Sequence, residues 1–225
     1  MRTIAVILSG CGVQDGTEIH EAVAVLYALS ERGVKAVCLA PGGEQHRVVN
    51  HAAGTPVEES RVMLEEGARI ARGDISLISN ASPASFDGVI IPGGFGAALN
   101  LCDFAISGRR MVINPELEDF LNGCADADKP LAALCIAPPI LAKLMERRGV
   151  TGALLTIGSD PDTAQAIEAM GQTHVKCLPS DAVVDPTNRL VTGPAYMLAG
   201  NMAELFDGIG VAVDRLLELS LQQVP

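Results

Sequence analysis

The apolar run Pro130-Leu131-Ala132-Ala133-Leu134 has the length of a β-strand. It ends on Cys135, and the prolines Pro138 and Pro139 follow almost at once. Proline suits the first turn of a helix, where its missing N–H would have no partner. Ile140-Leu141 then continue a helical pattern, so the segment Lys129–Leu141 reads as strand, tight turn and helix with Cys135 at the turn. Ala133 and Ala137 flank the cysteine in the small-x-nucleophile-x-small spacing of a strained strand-to-helix turn. Such a turn aims the positive end of a helix at the thiol, which predicts a pKa lowered towards the thiolate. Free cysteines are also ordinary small hydrophobes of a core. The segment alone leaves both readings open.

The rest of the chain supplies strands and helices in alternation. Thr3–Leu8 is a continuous apolar run of the kind buried on both faces of a parallel sheet. After the Gly10-Cys11-Gly12 loop, Thr17 is placed to cap a helix through Ile19, Val23, Leu26 and Leu29 that stops at Gly33. Val34–Ala40 follows as a strand, making a βαβ start. The spacing further predicts a helix over Glu58–Ala71, strands over Ile75–Ile78 and Val89–Ile91, and a helix from Asn114-Pro115 to about Ala127. Beyond the cysteine helix, which ends near Arg148-Gly149, a strand is expected over Ala153–Ile157 and a short helix to Met170. A hairpin is expected around Pro186–Arg189, and a last helix over Leu198–Leu221. No repeat or linker interrupts the 225 residues, which implies a single α/β domain with a mostly parallel sheet.

Composition narrows the partners. A net charge of −11 argues against nucleic acid and anionic membrane, which need a basic face. The six cysteines form no C-x-x-C pair, so free thiols are expected in place of disulfides or zinc, and no metal or organic cofactor is implied. No signal-like segment precedes the first strand, and a cytoplasmic location is the expectation.

In an open parallel sheet, sites form at the carboxyl ends of strands. There stand the Gly10-Cys11-Gly12 loop, the Pro92-Gly93-Gly94 turn and Cys135. Without a Cβ, Gly93 and Gly94 let backbone amides approach a ligand. The amides of Gly94 and Ile136 are the natural pair of oxyanion donors beside Cys135. Two glutamates of the first helix compete as acid/base. The row from Glu18 continues through Ala22, Val25 and Leu29, whereas that of Glu21 leads to Arg32, so Glu18 is the expected partner of the thiol. A carboxyl held in an apolar cleft rises in pKa and can shuttle a proton. Of the four histidines only His174 follows Cys135, with Lys176 two residues on, so no Cys-His-acid triad can be assembled. His20 and Cys11 are secondary candidates to line the site.

The motifs Ile7-Leu8-Ser9-Gly10-Cys11-Gly12-Val13, Asp15–Val23, Ile91–Ala98, Cys135-Ile136-Ala137-Pro138 and Thr192–Met197 together resemble the ElbB-type proteins. These are "isoprenoid biosynthesis proteins with amidotransferase-like domain" in the ThiJ/PfpI branch of class I glutamine amidotransferase-like folds. The resemblance covers nearly the whole chain. It implies a flavodoxin-like α/β/α sandwich, often a homodimer, with Cys135 as nucleophile, Glu18 as its partner, and Gly94 and Ile136 as oxyanion donors. It also implies a cofactor-independent glyoxalase acting on a small dicarbonyl, glyoxal, to give glycolate, an activity sometimes discussed as deglycation. The chain departs from peptidase-like members, which carry histidine after the nucleophile, and from glutaminases, which carry a late histidine–glutamate pair. The alternative from another class is a redox-sensing or partner-binding protein, linked to isoprenoid metabolism by the family's name, that uses the same exposed thiol.

Overall fold

The fold is built on a seven-stranded sheet whose buried strands present alternate residues to two separate apolar layers. The computed structural model describes residues 1–222; the last three residues of the expected 1–225 domain lie outside the described residues. In chain order the elements are β1 (Thr3–Ile7), α1 (Ile19–Glu31), β2 (Lys35–Ala40), β3 (Val48–Asn50), β4 (Thr55–Val57), α2 (Met63–Ile70), β5 (Ile75–Leu77) and β6 (Gly88–Ile91). Then come α3 (Phe95–Leu99), α4 (Phe104–Ser107), α5 (Pro115–Asp126), β7 (Leu131–Leu134), α6 (Pro138–Arg147), β8 (Leu154–Leu155), α7 (Pro161–Ala169), β9 (Thr173–His174), β10 (Val183–Asp185), β11 (Leu190–Gly193) and α8 (Met202–Leu221).

The main sheet runs β10-β11-β7-β6-β1-β2-β5, parallel except for the antiparallel edge strand β10. Side chains alternate across a strand. Ala5, Ile7, Val89, Ile91, Leu131 and Ala133 therefore face one core, with Leu117, Phe120 and Leu121 of α5 and Ile140 and Leu144 of α6. Ile4, Val6, Ile90, Ala132, Leu134 and Val191 face the other, under α1 and α8. This is why the central strands read as unbroken apolar runs. The three-layer α/β/α arrangement with a mostly parallel sheet is the one expected.

Chain direction reverses between β1, which leads outwards to β2 and β5, and β6, which leads the other way to β7 and β11. That switch point leaves a crevice at the carboxyl ends of the strands.

Several boundaries differ from expectation for local reasons. Residue 18, not Thr17, caps α1: Glu18 is extended (φ −65°, ψ 121°) and its side chain accepts the Glu21 N–H. Thr17 instead turns inward, where its Oγ1 accepts the Ser9 N–H at 2.7 Å. Only the second half of Glu58–Ala71 is helical, because Thr55–Val57 first pairs with Val48–Asn50. The Ala153–Ile157 run shortens to β8, which pairs with β9 outside the main sheet. The last helix starts at Met202 under an Asn201 cap, and a 3-10 turn occupies Ala195–Met197. Among the described residues, no helix is long and apolar enough to cross a membrane.

Candidate active site

Four neighbouring strands, β11, β7, β6 and β1, each deliver one part of the site from their carboxyl ends. β7 delivers Cys135 in the left-handed region (φ 56°), a conformation that non-glycine residues adopt only when their surroundings enforce it. Two tethers enforce it here: the Cys135 N–H donates to the Gly193 carbonyl at 2.9 Å, and Ala137 N–H closes the turn onto Leu134 at 2.9 Å. The strained strand-to-helix turn is therefore present, with Pro138 opening α6.

β6 delivers Pro92-Gly93-Gly94. A Cβ on Gly93 would lie 2.5 Å from the Cys135 Cβ and 3.0 Å from its sulfur, so this position admits no side chain without movement. Gly94 has φ +91°, a conformation suited to glycine. The Gly94 and Ile136 amides both lie near enough to the cysteine sulfur to favour its ionised form. The structure thus brings both amides of the expected pair to Cys135.

The carboxyl at the thiol is Glu21, not Glu18. Glu21 has no solvent exposure. Its Oε2 accepts the Gly93 N–H at 2.7 Å, its Oε1 accepts the Tyr196 N–H at 3.2 Å, and its carboxyl stands beside the Cys135 thiol, both of them against Gly93. Glu18 lies one turn earlier and does different work. Its Oε2 takes the Glu21 N–H at 2.7 Å, and its own N–H donates to the Gly93 carbonyl at 2.9 Å. Glu18 thus fixes the end of α1 against the Gly93 turn and borders the cleft, while Glu21 touches the sulfur.

Burial sets the protonation of this pair. Desolvation raises Glu21 from about 4.5 to about 7, with the nearby Glu18 adding to it and the Gly93 and Tyr196 amides opposing it. Burial, then the negative charge of Glu21, pushes the Cys135 thiol up as well, against the pull of the Gly94 and Ile136 amides. The expectation of a thiol pKa lowered by the α6 terminus is not met. The helix end is present, but burial of the thiol, and after it the carboxylate alongside, outweighs it. A thiolate forms most readily when the pair's single proton sits on Glu21, because the carboxyl then donates to sulfur in place of repelling it.

The raised carboxyl gives a stability signature. An unfolded glutamate releases its proton near 4.5, whereas Glu21 holds it to about 7. The native state therefore gains stability from this group below pH 4.5 and loses it as pH rises through 7, by about 3 kcal/mol in all. Urea unfolding at pH 5 and pH 8 is expected to show Glu21→Gln gaining on the unsubstituted protein by that order over the interval. A constant difference between the two would show that Glu21 ionises normally.

Two side chains with no assigned role in the sequence complete the wall. Tyr196, on the turn after β11, borders the cleft and bonds His20 Nδ1 at 2.8 Å through its hydroxyl. Its position just past a strand's carboxyl end was the available signal. Phe104, on the short helix α4, lines the same cleft. His20 therefore stands behind Tyr196. Cys11 is half-buried and does not line the cleft over Cys135; burial, then the charge of Glu66, pushes its thiol up. His174 is a strand residue whose Nε2 accepts the Ile157 N–H. Among the described residues no group of three or more His, Cys, Asp or Glu side chains is arranged to hold a metal ion. The cleft over Cys135 measures about 510 Å³. A cleft of about 400 Å³ lined by Asp87, Lys129 and Arg189 contains no thiol, glutamate or histidine.

A doubly wound sheet with a cysteine on a strained turn, a buried glutamate on its sulfur and two converging amides defines a class I glutamine amidotransferase-like thiol protein. Residues 11–194 match the DJ-1/PfpI family, and the chain belongs to it. A human protein, glutamine amidotransferase-like class 1 domain-containing protein 3, mitochondrial, is 44% identical over 227 residues, spanning 96% of this chain and 83% of its own length. The zebrafish ES1 protein, mitochondrial, is 32% identical over 231 residues, 96% of this chain and 86% of its own. Among solved structures, the isoprenoid biosynthesis protein with amidotransferase-like domain from Ehrlichia chaffeensis superposes with a TM-score of 0.87 at 34% identity, covering 96% of this chain and 99% of that one. Glyoxalase III from Candida albicans shares the fold, with a TM-score of 0.63, 15% identity and 96% of each chain covered. The mitochondrial relatives overturn the expectation of a cytoplasmic location, which had rested on the first residues alone.

Proposed function

We propose that the protein is a cofactor-independent glyoxalase, converting glyoxal and water to glycolate at Cys135. The observation that carries this is the Glu21 carboxyl and the Cys135 sulfur meeting over Gly93, with the Gly94 and Ile136 amides beside the same sulfur. That arrangement pairs a nucleophile with an acid/base of pKa about 7, close to the optimum for proton transfer at neutral pH. The name of the glyoxalase III structure that shares this fold agrees with the reading.

The steps follow from these groups. The Cys135 sulfur forms a bond to one aldehyde carbon. The carbonyl oxygen gains negative charge opposite the Gly94 and Ile136 amides and takes the proton from Glu21. Glu21, now a carboxylate, removes the hydrogen of the same carbon as a proton, giving an enediolate, and delivers it to the second carbon. The hydroxyl proton passes to the second oxygen, which leaves a thioester of glycolic acid. Water adds to the thioester, the carbon–sulfur bond breaks, and the thiol is restored. One carbon is oxidised and its neighbour reduced, so no external oxidant or reductant enters. The absence of a histidine beside Cys135 is no obstacle, since Glu21 protonates the first oxygen and carries the proton between the two carbons.

The test is saturable glycolate formation from glyoxal by the purified protein, compared with the same protein heat-denatured. The folded protein is expected to saturate and the denatured one to show only a slow, linear background. Equal rates from both would overturn the reading, because an exposed thiol would then account for all of the conversion.

A further inference from the structure

Glyoxal is the smallest dicarbonyl, and the space above Cys135 is much larger than it needs. At about 510 Å³, the cleft falls within the roughly 300–1,000 Å³ of clefts that hold drug-sized ligands. Most of its wall is apolar. Phe104, Ile136 and Met197 form the inner surface around the sulfur, while Val13 and Phe95 stand at the rim. Those two rim side chains are 42% and 47% exposed, an arrangement that leaves apolar surface in water until something covers it.

The polar lining has one sign. Glu18 and Asp160 border the cleft, and no lysine, arginine or histidine does. The Arg47 guanidinium lies over the ring of Phe95 at 5.3 Å from its centroid and donates to the Gln14 carbonyl, so it is already committed. His20 is held behind Tyr196 by their hydrogen bond. A carboxylate or phosphate on the substrate would thus meet two acids and no counter-charge.

We infer that the site is built for an uncharged 2-oxoaldehyde whose second carbonyl bears an apolar group larger than a methyl, with that group against Phe104, Ile136 and Met197. This rests on the glyoxalase reading and specifies its substrate. The chemistry is unchanged: the sulfur adds to the aldehyde carbon, Glu21 carries its proton to the ketone carbon, and water releases a 2-substituted 2-hydroxy acid. The acid product is an anion between Glu18 and Asp160, which favours its departure.

Phenylglyoxal and 4-carboxyphenylglyoxal are suitable probes beside glyoxal, with the corresponding hydroxy acid measured chromatographically. Phenylglyoxal is expected to show kcat/KM at least tenfold above glyoxal, mainly through a lower KM, and the carboxylated analogue to lose that gain. Phe104→Ala is expected to reduce the phenylglyoxal-to-glyoxal ratio several-fold. If glyoxal is turned over and phenylglyoxal is no better, or the carboxylated analogue is as good, the inference fails and the glyoxalase reading stands. If none of the three is turned over, both fail.

Discussion

Glu21→Gln is expected to lower kcat for glyoxal by about 10²- to 10⁴-fold, the range for loss of a positioned acid/base. Cys135→Ala is expected to reduce conversion to the uncatalysed background. Glutamine keeps the shape of the carboxyl, but its single carbonyl oxygen can accept only one of the Gly93 and Tyr196 amides, which reach different oxygens of Glu21, and it can neither take nor return a proton. The informative comparison is Glu18→Gln. Its Oε2 accepts one backbone N–H, a role an amide oxygen can fill, and nothing about it touches the sulfur. A loss of less than about tenfold is therefore expected there, with near-native thermal stability, since a neutral acceptor replaces a cap contribution of only about 1 kcal/mol. Steady-state kinetics of the three variants, with circular dichroism to check folding, decides the matter. A larger loss for Glu18→Gln than for Glu21→Gln would return the acid/base role to the residue first expected from the sequence.

That expectation went astray for a specific physical reason. With Thr17 as the cap, Glu18 appeared to lead an apolar helical row and Glu21 a solvated one. In the structure Glu18 is itself the cap, outside the helix proper, and Arg32, which made the second row look solvated, lies past the end of α1. The rows then run from Glu21 through Ala24, Val25 and Ala28, all buried under the packing of α1 against α8. The two amides that hold Glu21 belong to Gly93 and Tyr196, 72 and 175 residues away, so no local pattern could reveal them. Cys135 was legible because its signals are adjacent: an apolar strand, a turn and two prolines. The central sheet was legible because its strands are buried on both faces and show as continuous apolar runs. The short helices α3 and α4, which build the cleft wall, have no side-chain caps and too few residues for periodicity to register.

Gly93 offers a second test, of geometry alone. Its backbone is not in the left-handed region, so alanine there introduces no conformational strain, only a methyl group. That methyl would sit 2.5 Å from the Cys135 Cβ, 2.8 Å from Glu21 Oε2 and 3.0 Å from the sulfur. Neither neighbour yields easily: Cys135 is fixed by its tether to Gly193, and Glu21 is buried between two amides. Overpacking of this kind costs about 1–3 kcal/mol, and displacing a reacting group by about 1 Å costs roughly 10²-fold in rate. Gly93→Ala is therefore expected to fold, to unfold at lower urea, and to lose glyoxal turnover by about two orders of magnitude. Gly94→Ala is a poor substitute, because its methyl would strike the backbone of Gly16 and Glu18 at a positive φ and confound rate with folding. The two quantities for Gly93→Ala, read together, separate the causes. A stable variant within threefold of normal turnover would mean that β6 and the thiol turn can part without consequence, and that their close apposition does not set the chemistry. A folded variant with turnover near background would tie the rate to the position of a sulfur that only a glycine at residue 93 leaves room for.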